Sequence, residues 1–121
     1  MSCHPDFAIL CYPVISMTAT YTHFGSRLNL LGENPGLELM ADLSLEQQVT
    51  PDTPPTFLFH TDQDTLVPAE NSVAFYLALR QAGVPAELHI YEPGEHGAGL
   101  GQADPVLSSW TERLEDWLAR R

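Results

Sequence analysis

At 121 residues, with 44% hydrophobic and 17% charged side chains, the chain is long enough for one domain and apolar enough to bury a modest core. A formal net charge of −11, with only five Lys and Arg, excludes a nucleic-acid phosphate backbone as partner and disfavours anionic membrane surfaces. No stretch is long and apolar enough to span a bilayer, and Met1-Ser2-Cys3-His4-Pro5 lacks the charged start and apolar core of a signal peptide. The chain as given therefore reads as cytoplasmic, a reading that a signal lost upstream would change.

In chain order, residues 7–14 (Phe-Ala-Ile-Leu-Cys-Tyr-Pro-Val) form a continuous apolar run, the pattern of a strand buried on both faces of a parallel sheet, with Pro13 ending its ladder. Cys11 lies inside this run and Cys3 ahead of it, a spacing that suits neither a disulfide framework nor a zinc site. Residues 15–55 are broken by Gly25, Gly32, Pro35, Gly36, Pro51, Pro54 and Pro55 and read as an irregular, cap-like segment. Two short helical pieces are expected within it, over 36–43 and 44–49, the second with Ser44 as cap and Gln47 completing a capping box.

Residues 56–61 (Thr-Phe-Leu-Phe-His-Thr) read as a second buried strand, followed by the polar loop Asp62-Gln63-Asp64-Thr65-Leu66-Val67-Pro68. A helix is expected over 69–82, with Gly83 as its stop and Pro85 blocking extension. Residues 86–91 alternate apolar with polar as an edge strand does, and 94–101 form a glycine-rich loop. Asp104 caps a last helix over 105–120, on which Leu107, Trp110, Leu114, Trp117 and Leu118 share one face as core anchors. Strands alternating with helices imply an α/β fold, a parallel sheet joined by right-handed crossovers.

In such sheets reactive groups gather just past the carboxyl ends of the strands. The loop after the second strand offers Asp64, with Asp62 as a rival, and the loop after the third offers His96 in Gly94-Glu95-His96-Gly97. A carboxylate beside an imidazole can fix its tautomer and stabilise the imidazolium, the acid–base core of nucleophilic hydrolysis. His60 and His89 fall inside strands and read as partly buried structural side chains; together with His96 they lack the spacing of a metal site. No cofactor is called for.

The runs Tyr12-Pro13-Val14-Ile15-Ser16, residues 23–32 (His-Phe-Gly-Ser-Arg-Leu-Asn-Leu-Leu-Gly), residues 50–61, Val67-Pro68-Ala69-Glu70-Asn71-Ser72 and Glu95-His96-Gly97 resemble, in order and spacing, the acetyl xylan esterase-like small carboxylesterases of the α/β-hydrolase superfamily. That resemblance covers nearly the whole chain. It implies that the strands are the last three of the family's sheet, that Asp64 is the triad acid and His96 the triad base, and that the segment around His23 lies near the substrate cleft. The implied activity is hydrolysis of short acyl or acetyl esters, with a small ester as substrate.

The family's Gly-x-Ser-x-Gly nucleophile elbow is absent from these 121 residues. A family member is about twice this length, so the chain reads as a truncated domain and Met1-Ser2-Cys3-His4 as a secondary or cloned start. Ser16, just past the first strand, and Ser26 are the candidate substitute nucleophiles. An unpaired apolar strand at 7–14 is a template for association, so a homo-oligomer formed through it is expected. Two alternatives stand beside the esterase: a catalytically inactive assembly module, and other chemistry of the superfamily, dienelactone hydrolysis or serine peptidase action.

Overall fold

A computed structural model describes residues 3–121. Met1 and Ser2, which open both the expected 1–121 domain and the segment read as a secondary start, lie outside the described residues.

The sheet holds three parallel strands, β1 (Ala8–Cys11), β2 (Thr56–Thr61) and β3 (Ala86–Tyr91), side by side in chain order. Register places Leu10 beside Leu58 and Leu58 beside Leu88. All six residues of the central β2 are buried, in keeping with its apolar centre Phe57-Leu58-Phe59. Successive side chains of a strand point to opposite faces, so β2 feeds two cores. Leu58 packs with Ile15, Phe75, Leu79 and Val84 beneath helix α3 (Glu70–Gln81). Phe57 and Phe59 pack with Leu107, Trp110 and Trp117 beneath helix α4 (Trp110–Leu118), which a 3-10 turn at Leu107–Ser109 precedes. Phe59 and Trp110 stack at 4.6 Å with planes 7° apart. Each of these fully buried side chains contributes on the order of 1.5–3 kcal/mol.

Local chemistry sets the element ends. At the end of α3, the Val84 N–H donates to the Leu79 carbonyl at 2.9 Å and the Gly83 N–H to the Arg80 carbonyl at 3.1 Å, a Schellman pair closed by Gly83 at φ 75°. Leu79 and Val84 also meet in the core. The last helix, expected over 105–120 with Asp104 as its cap, begins only at Trp110 with no side-chain cap; Asp104 Oδ1 accepts from the Val106 and Leu107 N–H groups at 2.8 and 3.1 Å and so opens the 3-10 turn ahead of it.

Several elements depart from the sequence reading. The first strand, expected over 7–14, spans only Ala8–Cys11, because the chain turns at Tyr12, φ 40°, ahead of a proline that has no N–H to donate. Phe7 lies outside the strand and rests edge-on against Trp117 at 5.9 Å. The segment expected to be irregular, 15–55, contains an unforeseen helix α1 (Phe24–Leu31). Its cap is His23, whose Nδ1 accepts the Ser26 N–H at 3.2 Å, and none of its residues is buried. Neither the usual cap residues nor a core-facing stripe was there to announce it.

Helix α2 (Leu37–Asp42) and a 3-10 turn at Leu45–Gln47 stand where the two short pieces were expected. The capping box does not form. Ser44 is wholly buried, accepts the Met17 N–H at 2.9 Å and donates to the Met40 carbonyl at 2.8 Å, while Gln47 Nε2 donates to Thr18 Oγ1 at 3.1 Å. A tertiary bond to the chain leaving β1 has taken the hydroxyl that a local cap would use.

Candidate active site

Parallel pairing of β2 with β3 brings their carboxyl ends together and continues into the loops. The Asp62 N–H donates to the Tyr91 carbonyl at 2.8 Å and the Gln63 N–H to the Glu92 carbonyl at 3.2 Å. The backbone leading to Asp64 is thereby fixed against β3. Beyond Asp64 the chain folds over its carboxylate, and Oδ1 accepts from the Leu66 and Val67 N–H groups at 3.0 and 2.9 Å. The other oxygen, Oδ2, lies 2.7 Å from His96 Nδ1.

The loop carrying His96 is tied down from beneath. Thr61, the last residue of β2, donates its hydroxyl to the Gly94 carbonyl at 2.7 Å. Gly94 has φ 131°, and a Cβ there would lie 2.8 Å from Thr61 Cγ2. Glycine is thus required both by conformation and by the close approach to β2. Edge-on to the His96 ring, at 5.1 Å, stands Tyr12, the only non-glycine with positive φ among the described residues. A side chain held in that sparsely populated region, against the base of a candidate site, is where strain tends to concentrate.

Asp64 is 4% exposed. Burial pushes its carboxyl up, but the N–H bonds from Val67 and Leu66, and the bond and charge of His96, together hold it below the ordinary carboxylate range. The ionised Asp64 therefore accepts, His96 Nδ1 donates, and the Nε2 lone pair remains to take a proton. The His96 side chain is 29% exposed, so that nitrogen sits on a reachable ring. Beside it an open recess of about 370 Å³ is lined by Glu95, His96, Ala98, Gln102, Asp104 and Leu107, among others.

The remaining candidates fall elsewhere. Asp62 is exposed, and the carboxylate bonded to His96 is that of Asp64. Ser16 is wholly buried, its Oγ accepting the Ala19 N–H at 3.0 Å and lying 3.4 Å from Thr18 Oγ1. Asn71 Oδ1 accepts the Ile15 and Ser16 N–H groups at 3.0 and 3.1 Å, so Ser16 belongs to a buried clamp. Ser26 Oγ is 2.8 Å from His23 Nδ1, a contact made inside the cap of α1. Neither serine is brought to His96. His89 has its Nε2 2.8 Å from Glu87 Oε1 and its ring 5.5 Å from Phe57, on the α4 side of the sheet. Both cysteines are free thiols, and burial pushes the Cys11 thiol up, away from the reactive thiolate.

Two residues at the site were read only as structural or not read at all. His60 is fully buried rather than partly so, and its Nε2 lies 3.2 Å from Asp64 Oδ2. The sequence signal was present: a histidine within an apolar strand, four residues before a loop aspartate. Tyr12 gave no signal beyond its place before Pro13 in a run shared with the family it resembles.

Comparison with known proteins gives this geometry a context. The chain is 42% identical over 111 residues to endo-1,4-beta-xylanase B of Butyrivibrio fibrisolvens, covering 92% of this chain and 17% of that one. It is 36% identical over 118 residues to an acetylxylan esterase of Xylanibacter ruminicola, covering 94% and 25%. An acetyl ester-xyloside bifunctional hydrolase of Caldicellulosiruptor lactoaceticus superposes with a TM-score of 0.94 at 48% identity, covering 98% of this chain and 43% of that structure. The chain thus spans a quarter or less of these curated relatives and under half of this solved one. Its three parallel strands and flanking helices are part of an α/β-hydrolase fold. Residues 6–121 match the prolyl oligopeptidase family, and the chain belongs to that family of hydrolases.

Proposed function

We propose that this chain supplies the acid and base of a serine carboxylesterase that removes acetyl or other short acyl groups from xylose-based sugars. The observation that carries the proposal is the 2.7 Å bond between His96 Nδ1 and a buried Asp64 carboxylate, which leaves Nε2 as the base. The substrate class is taken from the names of the relatives, an acetylxylan esterase and an acetyl ester-xyloside hydrolase.

In this reading a serine from outside these 121 residues attacks the ester carbonyl while His96 Nε2 takes its hydroxyl proton. The tetrahedral intermediate collapses as His96 returns that proton to the departing sugar oxygen, leaving an acyl-serine. Water then attacks the acyl carbon, His96 takes its proton, and the serine leaves reprotonated with the carboxylic acid released. Asp64 holds the imidazole in the Nδ1–H tautomer and stabilises the imidazolium.

The test is a chimera in which this chain replaces the matching segment of the Caldicellulosiruptor hydrolase, assayed on acetylated xylo-oligosaccharides and on peptide p-nitroanilides. We expect deacetylation to persist and to fall about 10⁴-fold with Asp64→Asn, as a triad does when its base is held in the wrong tautomer. Cleavage of the anilide in preference to the acetate would replace the esterase reading with the peptidase one. Activity indifferent to both Asp64→Asn and His96→Ala would remove the proposed roles.

A second reading rests on the free side of β1, where Phe7 and Ile9 are 39% and 37% exposed. A second copy covering that edge would make the isolated chain a homo-oligomer and an assembly module without turnover of its own. Light scattering on the purified chain at micromolar concentration decides it, and a clean monomer would rule it out.

A further inference from the structure

Tyr12 holds a backbone conformation that is disfavoured twice over. Its φ is 40°, in the left-handed region where a side chain crowds its own backbone, and a residue ahead of proline is pushed towards extended conformations instead. Glycine or asparagine would make that turn at less cost. What fixes the turn is the Tyr12 N–H, which donates to the Phe59 carbonyl at 2.6 Å and extends the bonding between β1 and β2 one residue past Cys11.

The ring that this turn delivers stands between the core and the candidate base. It packs on the cluster beneath α4, 6.1 Å from the Phe59 ring with planes 69° apart, and meets the His96 imidazole at 5.1 Å with planes 71° apart. Both are edge contacts within the range where aromatic pairs attract. His96 needs support of that kind. Its loop holds Gly94, Gly97, Gly99 and Gly101, all at positive φ, so the backbone around it brings little stiffness of its own. The 2.7 Å bond from Nδ1 to Asp64 Oδ2 pins one atom of the imidazole and leaves the ring able to swing about that atom. A wall supplied by a different strand removes that freedom.

We infer that Tyr12 is a positioning residue for His96: its ring, seated on Phe59 and delivered by a strained turn, holds the imidazole on Asp64. The inference rests on the reading of Asp64 and His96 given above. Strain of this sort persists where the surrounding structure over-determines a residue, and here the ladder bond to Phe59 and the two ring contacts do so. The contacts are made by the ring, so the hydroxyl is dispensable to the role.

The Nδ1 proton of His96 exchanges with water when the imidazole leaves Asp64, so its exchange rate, read by histidine-selective NMR on the 121-residue chain, measures how well the ring is held. Wild type is compared with Tyr12→Gly, Tyr12→Phe and Asp64→Asn, with the backbone amides of β2 reporting global opening. Tyr12→Gly removes the ring and relieves the backbone. It should speed exchange at His96 roughly two- to tenfold beyond any change in the β2 amides, the factor that one aromatic contact is worth. Tyr12→Phe keeps both ring contacts and should exchange as wild type does. Should Tyr12→Gly fail to fold, Tyr12→Asn takes its place, since asparagine also tolerates the left-handed backbone and carries no aromatic ring. Exchange at His96 that stays at the wild-type rate, or rises only in step with the β2 amides, overturns the inference, and so does a Tyr12→Phe that behaves like Tyr12→Gly. A His96 proton that Asp64→Asn leaves untouched would instead defeat the reading of Asp64 and His96 as a pair, and the inference with it.

Discussion

Two regions of this chain spend their polar groups in opposite ways. At the carboxyl end of β2, Asp64, His60, Thr61, Ser72 and Asn71 are buried and bonded to one another or to backbone, so that loop positions are dictated from several directions. Along α1 and α2 no residue is buried, and Phe24, Leu30 and Leu37 are 60%, 61% and 81% exposed. The first region fixes the Asp64 carboxylate against His96, and the second presents apolar surface. Burial, not the presence of helix or strand, separates them.

That contrast can be broken by mutation. Phe59→Ala should be the most costly change, about 3–5 kcal/mol by denaturant unfolding, because Phe59 is 0% exposed and stacked on Trp110. Gly94→Ala should cost roughly 1–3 kcal/mol, since the new Cβ meets Thr61 at a φ few L residues adopt, and it should displace His96.

Acid should act through Asp64 more gently. Its folded value is depressed, so its contribution is complete above the ordinary carboxylate range and is lost as pH falls through the lowered folded value. A pH series of melting temperatures should show wild type losing stability over that interval, and Asp64→Asn lacking that part of the loss. At the bottom of the scale, Leu30→Ala on α1 should stay within about 0.5 kcal/mol of wild type. A large loss there would show that the helix is packed in solution against something these contacts do not include.

The same contrast explains how much was legible in the sequence. β2 announced itself because burial on both faces demands an apolar centre, α3 because its stop is local, Gly83 at φ 75°, and α4 because Trp110 and Trp117 stand on one face, apart from its charged residues; Asp104 marked the turn ahead of α4, bonded to Val106 and Leu107, and not its first residue. Asp64 and His96 were legible as loop residues after adjacent strands, helped by family resemblance. Helix α1 was not, since a helix with no buried face writes no stripe and His23 is an uncommon cap. Ser44 misled because its hydroxyl was read locally while the fold uses it on Met17. The full burial of His60 was not legible for the same reason: its partner Ser72 meets it only after β2 and α3 are stacked.

The most direct test of the account is the tautomer of His96, read by histidine-selective ¹⁵N NMR at neutral pH. The account predicts a protonated Nδ1 with a downfield proton that disappears in Asp64→Asn, and in the neutral ring an unprotonated Nε2. A neutral His96 that carries its single proton on Nε2, or one whose spectrum ignores Asp64→Asn, would contradict it.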